Sequence, residues 1–78
     1  MSDLVKRSFS LAGHRTSVAL EPEFWAALAA LATARGQALS ALVAGVDAAR
    51  GPGRPLASVL RVLALLEAGA GREAGAGR

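Results

Sequence analysis

RTSVALEPEFW, from Arg15 to Trp25, is the stretch that decides the fold. Up to Leu20 it alternates, with Thr16, Val18 and Leu20 on one parity and Arg15, Ser17 and Ala19 on the other. Successive side chains of a strand leave opposite faces, so a strand here buries the first set and turns the second to solvent. Glu21, Pro22 and Glu23 then mark a helix start. Pro suits the first helical position, where its missing N–H is no loss, and carboxylates favour the positive end of a helix. Phe24, Leu28 and Leu31 recur at helical spacing, Trp25, Ala29 and Ala32 widen the stripe, and Arg35 with Gly36 reads as the stop.

Upstream, Val5 to Leu11 also alternates, with Val5, Arg7, Phe9 and Leu11 on one parity. Ala12 and Gly13 supply a turn, so an N-terminal strand can close a hairpin onto Arg15–Leu20. Downstream, Leu39, Leu42, Val43 and Val46 form the stripe of a second helix, from about Leu39 to Arg50, ended by the turn Gly51-Pro52-Gly53-Arg54. Pro55 opens a third helix. Its Leu56, Val59, Leu60, Val62, Leu63, Leu65 and Leu66 point in almost every direction, the pattern of a helix buried on most sides. The hexapeptide EAGAGR then occurs twice, at Glu67–Arg72 and Glu73–Arg78. Gly at that density opposes a helix, so residues 1–67 are expected to be the domain and residues 68–78 a flexible tail.

The chain of 78 residues is one small domain, which excludes a multidomain enzyme. A hydrophobic fraction of 53% against 19% charged residues is too apolar for a disordered chain. Much of that fraction is Ala, and the aromatic residues are only Phe9, Phe24 and Trp25. One protomer therefore buries little area, there is no Cys to staple it, and oligomerisation is the remaining support. A net charge of +3 favours anionic partners. Met1–Ser10 carries no apolar core of a secretory leader, and the apolar run Leu56–Leu66 is broken by Ser58 and Arg61 and is far shorter than the roughly 20 residues of a membrane span. A cytoplasmic protein with no membrane partner is expected.

Catalysis needs convergent groups. The single His is His14, and the carboxylates are scattered without paired spacing, which argues against an enzyme. His14 lies at the turn beside Arg15 with no companion ligands, so a solvated or phosphate-facing role fits it and a metal role does not. Gly69, Gly71 and Ala74 match G-x-G-x-x-A, but no strand precedes them, so no nucleotide cofactor is implied. Gly53-Arg54-Pro55 spells the centre of a minor-groove hook but lacks its basic flanks. Asp47 and Arg50 are spaced as a helix-surface pair of little energetic weight.

One strand cannot stabilise itself, and the natural partner in so short a chain is the same strand of a second copy. Two strands related by a two-fold axis make an antiparallel ribbon that fits the major groove of duplex DNA. With GHRTSVALEPEFWAALAALATARG (Gly13–Gly36), LSALVAGVDAARG (Leu39–Gly51) and PLASVLRVLALLE (Pro55–Glu67), the chain resembles the ribbon-helix-helix proteins of MetJ/Arc type, and more closely a bacterial subfamily with an added C-terminal helix. The resemblance runs from about Arg7 to Glu67.

The fold implied is mainly α with a short β-ribbon, a ribbon-helix-helix plus third helix forming an intertwined homodimer. Its dimer core is expected from Val18, Leu20, Phe24, Trp25, Leu28, Leu42 and Val46. Arg15, Ser17 and Ala19 are the outward ribbon positions, His14 stands beside them, and Leu39 and Ser40 open the second helix against phosphates. Two positions depart from the family pattern. Ala19 offers apolar contact where DNA-reading members carry a polar side chain, and Ala38 stands where a Ser or Thr cap is usual. The implied function is a cofactor-free transcription regulator that binds double-stranded DNA. The alternative is a dimeric protein-interaction module, antitoxin-like roles included, presenting the third helix, the hairpin or the tail to another protein.

Overall fold

A computed structural model describes residues 3–76; Met1, Ser2 and the end of the second EAGAGR repeat, residues 77–78, lie outside it. The elements run β1 (Val5–Leu11), β2 (His14–Leu20), α1 (Pro22–Ala34), α2 (Leu39–Ala49) and α3 (Leu56–Ala76). β1 and β2 form a two-stranded antiparallel sheet in which Val5 faces Leu20, Phe9 faces Thr16 and Leu11 faces His14. Sequence offers the Arg15–Leu20 strand two neighbours, an N-terminal strand of the same chain and the same strand of a second copy, and within the chain β1 is the one that pairs with it. The local reason is the turn. Ala12 and Gly13 have φ of 53° and 82°, the two positive values of a type I′ hairpin turn, whose twist matches that of the strands.

The inward parity holds as read. Phe9, Leu11, Val18 and Leu20 are buried beneath the sheet and join Trp25, Leu28 and Ala32 of α1, Leu42 and Val43 of α2, and Leu56, Leu60 and Ala64 of α3 in one core. Of the residues expected in a dimer core, Val18, Leu20, Trp25, Leu28 and Leu42 are buried within the single chain, and Phe24 and Val46 are partly buried against them. Each fully buried Leu or Val contributes about 1.5–3 kcal/mol.

α1 begins at Pro22, where the sequence places it, and ends in a Schellman motif. The Gln37 N–H donates to Ala32 O at 2.9 Å and the Gly36 N–H to Thr33 O at 3.0 Å, with Gly36 at φ 68°. The α1–α2 bend is 97°.

α3 departs from expectation twice. It runs to Ala76, past the expected end at Glu67, because the Ala, Glu and Arg of each repeat are good helix formers set against Gly. It is also not buried on most sides. Leu56, Leu60 and Ala64 face the core, while Val62, Leu65 and Leu66 are 43%, 68% and 63% exposed. So small a protomer has neighbours for only one face of this helix.

Candidate nucleic-acid interface

A two-residue turn makes its flanking residues a hydrogen-bonded pair, and pairs then alternate along the hairpin. Leu11–His14, Phe9–Thr16, Arg7–Val18 and Val5–Leu20 are thus the bonded pairs, and Ser10–Arg15, Ser8–Ser17 and Lys6–Ala19 the unbonded ones. The second set makes the outer face. Lys6, Ser8, Ser10, Arg15 and Ser17 are exposed and Ala19 half-exposed. Ser8 and Ser17 face each other, with their Oγ atoms 3.1 Å apart in a hydrogen bond that either can donate. Arg15, Ser17 and Ala19 therefore share one face. His14 does not join them: its register partner is the buried Leu11, and it shares the parity of Thr16 and Val18, an exposed ring at the hairpin tip.

Three arginines are committed to the fold. Arg61 Nε donates to Glu21 Oε1 at 3.0 Å and lies over Phe24, Arg50 Nε donates to Asp47 Oδ1 at 2.8 Å, and Arg35 stands 3.9 Å from Glu67. Arg7 is stacked 5.3 Å from the Trp25 ring centroid. Among the described residues, Lys6 and Arg15 are in no ion pair, and no carboxylate lies on their face of the hairpin. Glu21, which closely follows the ribbon, has its charge met by Arg61. The backbone N–H of Glu21 itself and then the Arg61 guanidinium hold its carboxyl below the ordinary value of 4.5.

Leu39 and Ser40 sit on a different element. Leu39 packs against the core, so only its backbone N–H is on offer, whereas Ser40 is exposed. The N-cap Ala38 makes no side-chain cap, and its carbonyl accepts from Ala41 and Leu42 at 3.0 and 3.1 Å. The first N–H groups of α2 thus lack an intrahelical acceptor and form the positive end of its dipole.

Sequence alone does not single out Lys6, Ser8 and Ser10, although their parity is legible as the complement of Val5, Arg7, Phe9 and Leu11. The register of β1 beside β2 turns three scattered polar residues into half of a surface. Trp25 ties that arrangement down. Its Nε1 donates to Val5 O at 2.7 Å and its ring lies 5.9 Å from Phe9.

Two shallow grooves flank α3, one lined by Ala27, Ala30, Leu31, Ala34, Ala64 and Ala68 with Glu67, the other by Val46, Ala49, Val59 and Leu63 with Arg50 and Arg54. Neither gathers a set of catalytic groups. Among the described residues no cluster of His or carboxylates is placed to hold a metal, and no single helix is long and apolar enough to cross a membrane. No curated protein and no solved structure matches the chain. The family model described as a ribbon-helix-helix domain matches residues 4–68, nearly the whole of the ribbon and helices described above. The chain belongs to the ribbon-helix-helix domain family.

Proposed function

We propose that this protein binds duplex DNA through the outer face of its hairpin and acts as a dimeric, cytoplasmic transcription regulator that needs no cofactor. The observation that carries the reading is the composition of that face: hydroxyls from Ser8, Ser10 and Ser17, two cations in no ion pair, Lys6 and Arg15, and no carboxylate. Hydroxyls meet several base edges, Arg donates two bonds to guanine, and either cation serves a phosphate. Ala19 adds an apolar contact suited to a thymine methyl. Ribbon-helix-helix domains typically bind DNA as dimers and serve as transcription regulators or antitoxins, which supports the same reading.

The test is a fluorescence-anisotropy titration of wild type and Arg15→Ala against random and selected duplexes at several salt concentrations. Binding of wild type should weaken with salt. If Arg15 binds phosphate, its removal lowers the log–log salt slope by about 0.9 per phosphate, evenly across sequences. If it binds guanine, removal instead costs roughly 1–3 kcal/mol of discrimination. No salt-dependent binding, or an Arg15→Ala protein that binds like wild type, defeats the assignment.

One observation favours the second reading, a protein-interaction module. Val62, Leu65 and Leu66 form an uncharged apolar face on α3 that this chain leaves open. Charged substitutions there that spare DNA binding but abolish capture of a protein partner would support it.

A further inference from the structure

We infer that β1 is a phosphate-binding strand: in the dimer, Lys6 and Ser10 of each protomer hold the DNA backbone on the walls of the major groove, while the two β2 strands lie over the bases. This rests on the DNA reading and the dimer proposed above and deepens them, since it divides one outer face into a strip that grips and a strip that reads.

Hydrogen-bond alternation places the second copy. His14, Thr16, Val18 and Leu20 form the bonded pairs with β1, so the main-chain N–H and C=O groups of Arg15, Ser17 and Ala19 point to the open edge of β2. An unpaired edge is a template for another strand. Two copies of β2 joined there about a two-fold axis bring Arg15, Ser17 and Ala19 of both protomers to the middle of a four-stranded sheet. β1 becomes the outer strand on either side.

Dimensions then separate the two strands. Neighbouring strands are about 4.8 Å apart, so the central β2 pair fits inside a major groove about 12 Å wide, whereas the two β1 strands stand about 14 Å apart, over its walls. Those walls are sugar and phosphate.

The outward side chains of β1 suit that position. Lys6 and Ser10 are exposed, beside Ala19 and Arg15 respectively, and Lys6 is in none of the ion pairs among the described residues. A Lys ammonium binds phosphate as a compact point charge, and a Ser hydroxyl can donate to a phosphate oxygen. Ser8 is engaged otherwise: its Oγ lies 3.1 Å from that of Ser17, so it steadies a hydroxyl of the reading strip. No carboxylate on this face opposes the approach of a phosphate.

The test titrates full-length Lys6→Ala, Lys6→Arg, Ser10→Ala and Arg15→Ala against a random duplex and one selected by wild type, at several salt concentrations. Lys6 is exposed and in no ion pair, so thermal melting of Lys6→Ala should match wild type. Lys6→Ala should weaken binding to both duplexes by the same factor and lower the log–log salt slope by about 0.9 for each phosphate released, or about 1.8 for the two copies in a dimer. Lys6→Arg should keep the slope. Ser10→Ala should weaken both duplexes alike with the slope unchanged. A Lys6→Ala protein that binds both duplexes like wild type overturns the inference. So does one that loses its preference for the selected duplex at an unchanged slope, which makes Lys6 a base reader. With Arg15→Ala still impaired, either result leaves the DNA reading intact. Failure of wild type to bind duplex DNA at all overturns both.

Discussion

The indole Nε1 of Trp25 donates a hydrogen bond to the carbonyl oxygen of Val5 at 2.7 Å, across 20 positions of sequence. It joins α1 to the first residue of the hairpin at the end farthest from the turn, where a two-stranded ribbon would otherwise fray. Arg7 over one side of the ring and Phe9 beside it complete the clamp.

Trp25→Phe keeps most of the buried ring and removes the N–H, so it should lose about 1 kcal/mol, the net value of one hydrogen bond. For a domain this small that is a fall in melting temperature of about 4–8 °C. Trp25→Ala should lose about 3–5 kcal/mol, a large share of the roughly 5–15 kcal/mol a domain has, and leave little cooperative melting. Thermal unfolding followed by circular dichroism reads both. A Trp25→Phe protein as stable as wild type would mean that the bond is replaced by water at no cost.

The strand parity, the Pro22 helix start, the Gly36 stop and the second helix are all legible in the sequence, because each rests on local geometry: alternation, a missing N–H, a positive φ. The placement of Arg15 and Ser17 on one outer face follows from the same alternation. Pairing is legible only in part. Ala12-Gly13 marks a turn in the sequence, but that turn closes with an Ala at φ 53°, a conformation Ala adopts only at some cost, so the residues permit the β1–β2 hairpin without requiring it. The outward faces of α3 escape the sequence for a related reason. Apolar residues around a helix say that each could be buried, whereas the number of neighbours in one chain determines how many are.

The Glu21–Arg61 pair should appear in the acid limb of stability. The carboxyl of Glu21 is held below its ordinary 4.5 in the folded chain, so the unfolded chain binds its proton first as pH falls. The stabilisation is therefore fully present above about 4.5, the unfolded value, and is lost as pH drops through the lowered folded value. Glu21→Gln should be less stable than wild type at about pH 6 and indistinguishable from it near about pH 2. The pair is solvent-accessible, so the gap at neutral pH should be small and shrink in high salt. A gap that is constant across this range would show that packing of the side chain, not its charge, matters.

The C-terminal repeats should contribute little to the fold. α3 continues through them to Ala76, but its core residues are Leu56, Leu60 and Ala64, and Glu67 and Ala68 line the groove beside α1. Each Gly beyond that point weakens the helix by about 1 kcal/mol relative to Ala. Deleting residues 69–78 should leave the melting temperature nearly unchanged, while the helical signal per chain falls. A drop of about 4–8 °C, equivalent to about 1 kcal/mol, would place the segment against the domain or a partner copy.

Ala38 separates the two parts of the candidate interface. It is the N-cap of α2 and provides no side-chain acceptor, so a Ser there should bond a first-turn N–H and stabilise the fold by about 1 kcal/mol. Asp should do at least as well, since it adds a negative charge at the positive helix end. The substitutions part company on DNA. If a phosphate docks at the Leu39 and Ser40 N–H groups, Ala38→Asp places a carboxylate against it and weakens binding, while Ala38→Ser leaves most of the affinity in place. If Ala38→Ser and Ala38→Asp bind duplex alike, with both more stable than wild type, the start of α2 lies outside the interface. The hairpin face of Lys6, Ser8, Ser10, Arg15 and Ser17 then carries the whole of the binding.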